Sequence, residues 1–407
     1  MSRTVPAAEA VLHETCRAVL KMRDQASVDA LAVQIVRRYR DLDAPGRDRF
    51  FVFLLEELGA DRRDLDAAVG RYRAEPTELA IAELSGAAES ARSRLFRSMN
   101  TAPGGIAMLI DLRADLLEAN DARTLPVEMD LGRLLRLWFN RGFLGLETLS
   151  WKTPAGILEK IIEYEAVHEI RGWPDLQRRL AGDRRCLAFF HPALPDEPVI
   201  FVEVALTRGL ASSIHDILDG PPLDADALEA LDTAIFYSIT NCQAGLRGIS
   251  FGASLIKQAM TALAAELPHV RRFATLSPVP GLRAWLEAVD PREIELPASL
   301  LAEVAGFGDG LPSAVSDLAL RRIVAHYLVR ARRSDGQPVD PVARFHLHSG
   351  ARLSRVLTRA DTSPKGVAES WGVLVNYVYS GEDLPANHER FVNAGEVAVT
   401  DEVAKLI

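Results

Sequence analysis

The chain has 407 residues, of which 48% are hydrophobic and 25% charged, and its formal net charge is −9. This composition is that of a folded globular protein with enough apolar residues for two or three domains. The acidic balance gives no basis for binding nucleic acid or an anionic membrane, so neither is expected as a partner. A polyanionic ligand would therefore need a local basic or dipolar site.

The cysteines and the two chain ends bear on the cellular compartment. Cys16, Cys186 and Cys242 lie far apart in the sequence and predict free thiols rather than a disulfide framework or a zinc site. The N-terminal stretch lacks the apolar core of a signal peptide, and no run of about 18 apolar residues is present. The last residues, AKLI, differ from an SKL-type peroxisomal signal. We therefore expect a cytoplasmic protein with no membrane span.

Residues 1–140 are predicted to form a helical bundle. Apolar side chains recur at steps of three and four within 30–36, 50–58 and 106–117, which is the spacing of amphipathic helices. Alternating β-branched residues are scarce, and the many charged side chains fit solvent-exposed helix faces. His13 is the single histidine of this part. We expect no catalytic residue in it.

Beyond residue 140 the pattern changes to strands that alternate with helices. The predicted helices are 154–167, 252–267 and 314–329, and Thr153 and Pro154 are predicted as N-cap and first residue of the earliest one. Short β-branched or apolar runs predict strands at 186–190, 198–206, 233–240, 272–276 and 371–379. This alternation favours an α/β or α+β catalytic domain over residues 141–407.

A glycine-containing segment, 243–257, follows a predicted strand and opens a predicted helix. Its residues Arg247, Gly248, Gly252 and Ala253 are candidates for binding a pyrophosphate. Glycine permits positive φ and close backbone approach, and the helix N-terminus adds unpaired N–H groups and its dipole. The alternative is that these are ordinary turn residues. The order of strand, R-G-x-x-x-G-A and helix resembles the CoA-pyrophosphate loop of the GCN5-related N-acetyltransferase fold.

Five segments, taken together and in this order, resemble the malonyl-CoA decarboxylase family. They are FFHPALPDEPVIFVEVALT (189–207), TAIFYSITNCQAGLRGISFGASLIK (233–257), FATLSPVPGLRAWL (273–286), ARFHLHSGA (343–351) and WGVLVNYVYS (371–380). The resemblance covers most of residues 141–380, whereas residues 1–140 share only the helical character.

The resemblance implies an N-terminal all-α domain, residues 1–140, through which members assemble as homo-oligomers, here a dimer or tetramer. It implies a GCN5-related acetyltransferase-like domain over residues 141–407. The implied activity, in fatty acid metabolism, converts malonyl-CoA to acetyl-CoA and CO2. Since the thioester substrate itself accepts the electrons, no metal or organic cofactor is expected.

Three site residues follow from the family's motifs. Ser277 matches the serine of L-S-P-x-P-G, His346 the histidine of F-H-L, and Tyr379 the tyrosine of the late N-Y-x-Y motif. In an acetyltransferase-like fold the strand before Ser277 splays from the strand at 233–240 and admits the pantetheine arm. Animal members carry a glutamate where this chain has Ser250, so no role of that glutamate can be transferred.

Each site residue also has a structural interpretation. Ser277 precedes a proline, which is typical of a helix N-cap. His346 lies in an apolar–polar alternation of the kind that holds structural histidines, and on a strand it would face away from His348. Tyr379 would share its face with the preceding tyrosine of the motif, and aromatic residues at that spacing are often core. His191, at a predicted strand end, is a further candidate.

Two other functions remain open at this stage. An acyltransferase of the same fold would bind the same CoA thioester but would need an amine or alcohol acceptor. A non-catalytic CoA-binding protein would keep the fold and lose the chemistry. The reaction of malonyl-CoA with the protein alone separates the decarboxylase from the acyltransferase, because only a decarboxylase releases CO2 without an acceptor.

Overall fold

Two compact units make up the residues that the computed structural model describes, which are 7–249, 254–290, 294 and 296–407. Among these, the first unit contains 7–145, 190–199 and 241–249, and the second contains 146–189, 200–240 and the described part of 254–407. No helix in the described ranges is long and apolar enough to cross a bilayer.

The N-terminal region is helical, as expected. Between residues 7 and 138 the structure has α1 (Ala7–Val19), α2 (Gln25–Arg40), α3 (Ala44–Glu56), α4 (Arg62–Ala74), α5 (Glu78–Ala87), α6 (Ala91–Asn100), α7 (Gly105–Ala119) and α8 (Leu125–Trp138). Side-chain caps start several of them, for example Asp43, whose carboxylate accepts the Gly46 amide at 2.8 Å. The core of this region holds large apolar side chains such as Phe50, Leu54 and Phe96.

The remainder is a mixed sheet with helices on its faces. Its strands are β1 (Gly145–Leu149), β2 (Arg184–His191), β3 (Leu194–Thr207), β4 (Thr233–Asn241), β5 (Arg272–Thr275), β6 (Ser277–Pro278), β7 (Arg352–Leu357) and β8 (Leu374–Tyr379). Its helices are α9 (Ala155–Tyr164), α10 (Trp173–Arg179), α11 (Ile214–Leu218), α12 (Ala225–Glu229), α13 (Ser254–Glu266), α14 (Leu282–Ala288), α15 (Ala298–Ala305), α16 (Asp317–Val329), α17 (Pro341–His348), α18 (Pro364–Ser370), α19 (Leu384–Ala394) and α20 (Asp401–Ala404).

The sheet order in the described residues is β1-β2-β3-β4-β5-β8-β6, with β7 paired to β8. β4 and β5 run parallel, whereas β8 pairs antiparallel with β5, β6 and β7. A helical region followed by a mixed sheet with helices is the order of all-α and α/β parts that the sequence predicts. Each predicted strand overlaps an observed one.

One face of the sheet packs on α11 and forms an apolar core. Its members are Ala205, Ile214, Ile217, Ile235, Tyr237, Ala274, Leu276, Ala360 and Leu374. Because side chains alternate along a strand, the residues between these point to the opposite face. That opposite face carries Thr275, Ser277 and Tyr379.

Two local predictions and one conditional interpretation differ from the structure. The segment around His346, whose facing was considered for the case of a strand, is the helix α17. The helix predicted from Pro154 to Val167 starts one residue later and ends at Tyr164, because Glu165 turns into extended backbone. Thr153 does not cap that helix, and its hydroxyl instead accepts the Ser150 amide at 3.0 Å.

Candidate active site

The register of the central strands brings Ser277 and Tyr379 onto one face of the sheet. Phe273 pairs with Tyr379 on β8, and Ser277 pairs with Val375 in the same register. Residues of odd number on both segments therefore share a face. Ser277 lies just beyond Thr275, the last residue of the parallel pairing between β5 and β4.

His346 reaches this face from α17. The helix starts at Asp340, whose carboxylate accepts the Ala343 amide at 2.8 Å, with Pro341 as its first residue. It ends before Gly350, which has φ +85° and whose Cα lies so close to Leu384 that a Cβ would be 2.2 Å from the Leu384 carbonyl oxygen. Only glycine fits that position without moving the chain, so the end of α17 is fixed as firmly as its start.

A buried hydrogen-bond chain joins the three residues predicted from the family motifs. The distance from His346 Nε2 to Ser277 Oγ is 3.1 Å, and from His346 Nδ1 to Tyr379 Oη it is 2.7 Å. Ser277 also donates to Thr275 Oγ1 at 2.8 Å. The three side chains are 3–4% exposed. The structure therefore assembles Ser277, His346 and Tyr379 from separate elements into one cluster.

The partners of each side chain decide which atom is the donor in each of these hydrogen bonds. Ser277 has one hydroxyl proton and donates it to Thr275, so its contact with His346 needs the imidazole Nε2 as donor. A neutral imidazole that donates from Nε2 accepts at Nδ1, and the Tyr379 hydroxyl is the donor there. Burial lowers the pKa of His346 to about 3, which keeps the ring neutral at physiological pH.

Two further residues support the cluster, and the sequence analysis did not give either a role in it. Thr275 receives the Ser277 hydroxyl and the Tyr377 backbone amide, the latter at 3.1 Å. The Tyr377 ring stacks on His346 with 4.7 Å between centroids and 26° between planes. Strand alternation from Ser277 back to Thr275, and from Tyr379 back to Tyr377, is the signal that points to both.

A buried carboxylate lies on the same sheet face. Glu165 is 8% exposed and accepts the Ser238 hydroxyl at 2.8 and 2.9 Å and the Thr240 hydroxyl at 3.2 Å. Phe236 pairs with Thr275 across β4 and β5, so Ser238 shares the face of Ser277. Sequence reasoning missed Glu165 because it follows α9, far ahead in the chain of the strand whose hydroxyls it binds.

The structure also bears on the helix-cap interpretation of Ser277 and on the further candidate, His191. Ser277 caps no helix, since it lies in β6 and the next helix, α14, starts after Gly281. His191 has structural contacts: its Nε2 lies 3.2 Å from the Trp138 carbonyl oxygen and its Nδ1 accepts the Ala193 amide at 3.1 Å.

The predicted pyrophosphate segment is described only in part, since Ser250, Gly252 and Ala253 fall outside the described residues. Gly248 has φ +75°, the conformation that favours glycine. The Arg247 amide donates to the Ala244 carbonyl at 3.1 Å, so the group that Arg247 leaves for an anion is its guanidinium. The binding roles of all four residues stay predictions.

A buried arginine of the first unit holds this segment. Arg113, on α7, is 4% exposed and donates to the carbonyl oxygens of Gly245 at 2.5 Å and Arg247 at 2.9 Å. Its guanidinium also pairs with Glu128 at 2.7 Å. In the described part of the chain, no group of three histidine, cysteine, aspartate or glutamate side chains is arranged to hold a metal ion.

Comparisons with known proteins agree with the resemblance. The model of the malonyl-CoA decarboxylase C-terminal domain matches residues 142–407, and that of the N-terminal domain matches residues 58–139. Mitochondrial malonyl-CoA decarboxylase of Anser anser anser is 33% identical over 92% of this chain and 83% of its own. The Rattus norvegicus protein of that name is 34% identical over 77% of this chain and 70% of its own.

Solved structures of two bacterial malonyl-CoA decarboxylases match nearly the whole chain. The protein from Rhodopseudomonas palustris has a TM-score of 0.90 and 42% identity, covering 98% of this chain and 100% of its own. The protein from Agrobacterium vitis has the same TM-score and identity, covering 97% and 99%. With both domain models matched in order, and with the goose and rat relatives aligned along most of their length, this chain belongs to the malonyl-CoA decarboxylase family.

Proposed function

We propose that this chain removes CO2 from malonyl-CoA and leaves acetyl-CoA. Membership of the family supports malonyl-CoA as the substrate. The assignment of the catalytic site is supported by the buried hydrogen bonds that join Tyr379, His346 and Ser277. Residues 1–140 are proposed as an oligomerisation domain and residues 141–407 as the catalytic domain. Exposed apolar side chains on the helical region, such as Leu79 and Leu137, are consistent with assembly.

The reaction requires three things of a protein. The bond between C2 and the carboxylate carbon breaks, and its electron pair moves into the thioester carbonyl to form an enolate. That oxygen needs preorganised donors, of which one good example contributes about 3–4 kcal/mol. C2 then needs a proton, and water must be kept from the leaving carboxylate. The net reaction takes up one proton.

The proposed roles follow the direction of the hydrogen bonds. Ser277, which accepts a hydrogen bond from His346 Nε2, is proposed to turn its own hydroxyl from Thr275 to the thioester or malonyl oxygen. As Ser277 gives its proton to C2, the Nε2 proton of His346 replaces it and the Tyr379 hydroxyl gives its own proton to Nδ1, so the ring stays neutral and the relay has lost one proton. Solvent returns the proton after the product leaves.

A covalent acyl-serine is not part of this proposal. A nucleophilic serine needs a histidine nitrogen that accepts its proton. The hydrogen bond between Ser277 and His346 has the opposite direction, since Nε2 donates to Ser277 Oγ. Decarboxylation also requires no acyl-enzyme, because no acyl group is transferred.

Arg247 and Gly248 are proposed to bind the CoA pyrophosphate, together with Gly252 and Ala253. The positive φ of Gly248 and the fixation of the segment by Arg113 support this assignment. No cofactor beyond the substrate is proposed. The goose and rat relatives are named as mitochondrial, so the cytoplasmic location expected for this chain stays a prediction.

The test of the function is incubation of the purified full-length chain with malonyl-CoA alone. We expect CO2 and acetyl-CoA in equal amounts, measured by gas trapping and chromatography of the thioesters. A preparation of Ser277→Ala, purified in the same way, controls for contaminating enzymes. Formation of acyl products only after an amine or alcohol is added would favour an acyltransferase and contradict the proposal.

Tyr379→Phe is expected to lower kcat about tenfold, the effect of one buried hydrogen bond to an oriented group, with KM unchanged. Loss of the hydroxyl frees His346 Nδ1 to carry the hydrogen, and Nε2 then no longer donates to Ser277. Steady-state kinetics with malonyl-CoA measures the effect. Tyr72→Phe, on α4 in the first unit, is the control. Full activity of Tyr379→Phe would show that the tautomer of His346 does not matter.

A further inference from the structure

Asp340 is a carboxylate next to the cluster to which the proposed function gives no role. It is 0% exposed and starts α17, the helix of His346, through the hydrogen bond from Ala343 N to its Oδ1. In the described part of the structure, no donor meets both the distance and the angle of a hydrogen bond to its second oxygen, Oδ2. A buried carboxylate oxygen without a partner costs folding free energy and calls for a functional reason.

The groups that face Oδ2 come from the turn that follows Ser277 and from α16. A Cβ placed on Gly281 would lie 2.5 Å from Tyr327 Oη and 3.9 Å from Asp340 Oδ2. The Gly281 amide and the Tyr327 hydroxyl both face the carboxylate, and Tyr327 is also fully buried. Asp340 therefore lies between the Ser277 turn and the His346 helix.

The ring of Tyr377 connects this carboxylate to the imidazole. Tyr377 stacks on His346, and its buried hydroxyl has no hydrogen-bond partner in the described residues, like that of Tyr327. Burial, and after it the charge of Asp340, raises the pKa of Tyr377 well above its ordinary value. Among the described residues, Asp340 Oδ2, Tyr327 Oη and Tyr377 Oη are thus three buried polar atoms without a hydrogen bond, on three different elements.

We propose that Asp340 is a positioning residue, whose Oδ1 fixes the start of the His346 helix while its Oδ2 packs against the Ser277 turn and so sets the separation of the two. This inference rests on the proposed function. The reason is geometric: Ser277 and His346 are 69 residues apart, and a displacement of about 1 Å between reacting groups can reduce a rate by about 10²-fold. The Oδ1 contact orients the helix, and the Oδ2 side faces the Gly281 amide at the end of the turn.

Ionisation of Asp340 gives the proposal a signature that a purely structural residue lacks. The charged or titratable groups facing it are Tyr327 from α16, Tyr377 from β8 and Arg344 from its own helix. Burial raises the pKa of Asp340 to about 6, whereas burial lowers the pKa of His346 to about 3. As the pH falls through 6, Asp340 takes up a proton and loses an acceptor, so kcat should fall there without any change in His346.

The experiment compares Asp340→Asn with the full-length wild type between pH 5 and pH 8. Asparagine keeps the size and one acceptor for the helix but cannot ionise. We expect kcat at pH 7.5 to fall about tenfold, KM for malonyl-CoA to stay within about twofold, and the acid limb near pH 6 to disappear. Asp335→Asn, in the exposed turn before α17, is the matched control and should keep the wild-type profile.

Four outcomes decide the matter. An Asp340→Asn enzyme that keeps the acid limb, or one that changes KM and not kcat, overturns the positioning role. If Asp340→Asn folds poorly, Tyr327→Phe serves instead: loss of the facing hydroxyl should move the limb above pH 6, and an unmoved limb overturns the proposal. A wild-type rate in His346→Ala would instead refute the proposed catalytic site, whatever Asp340 does.

Discussion

His346→Ala is expected to lower kcat for CO2 release by about 10²–10⁴-fold, the range that a positioned acid contributes. The substitution removes the donor to Ser277 and the acceptor of the Tyr379 hydroxyl together. KM should change little, because the pyrophosphate end of the substrate is proposed to bind at Arg247 and Gly248. The measurement is acetyl-CoA formation at saturating malonyl-CoA, with substrate binding followed separately.

Ser277→Ala should give a loss of the same order, since Ser277 is the group that passes the histidine's proton to the substrate. The double variant should lose no more than the single ones, because residues that act as a unit are not additive. His348→Ala is the matched control: it lies two residues further on α17, is exposed and contacts His388 outside the cluster. Near-wild-type turnover in a folded His346→Ala protein would refute the proposed site.

Strands with uniform burial were the elements that local sequence predicted best. The run 198–206 became most of β3 and 233–240 most of β4, because β-branched and aromatic residues between turn residues have few alternatives. The start of α17 was equally encoded, by an aspartate N-cap followed by proline, yet the alternation of Phe345, His346 and Leu347 suggested a strand. A capping signal with a physical mechanism was the stronger indicator there.

The sequence predicted the candidate residues of the site but not the contacts between them. Ser277, His346 and Tyr379 came from motifs, and their roles remain proposals. The contacts between them depend on the antiparallel register of β8 with β5 and β6, which no local pattern specifies. For the same reason, the sequence could not predict that Asp340 and Glu165 lie buried near the site. A carboxylate in the sequence carries no mark of whether folding buries it beside a hydroxyl.

The helical region also makes contacts between residues that are far apart in the sequence and so cannot be predicted from local patterns. Arg113 lies 132 and 134 residues before the two residues whose carbonyl oxygens it binds. Sequence analysis treated the charged residues of the helical region as solvent-exposed, and for Arg113 this was wrong. Its pairing with Glu128 compensates the cost of burying the guanidinium, and its remaining donors are then directed at the 245–247 backbone.

Gly245→Ala is expected to destabilise the first unit by about 3 kcal/mol, at the upper end of the cost of overpacking a rigid site. A Cβ on Gly245 would lie 1.9 Å from the Ile110 carbonyl oxygen and 2.9 Å from Ile110 Cγ2. The carbonyl oxygen cannot move without bending α7, so the 245–247 segment must shift instead. We expect Tm to fall by about 10 °C, measured by thermal denaturation. In protein that remains folded, KM for malonyl-CoA should rise.

The size of that effect depends on the backbone contact and not on the loss of glycine as such. Gly156→Ala, in α9, tests this, since a Cβ there meets nothing within 4 Å and alanine favours a helix by about 1 kcal/mol. It should leave both Tm and KM unimpaired. If Gly245→Ala also kept the wild-type Tm, the close approach to α7 would be wrong. If it lost stability while KM stayed constant, the 245–248 segment would be a structural contact and the pyrophosphate would bind elsewhere.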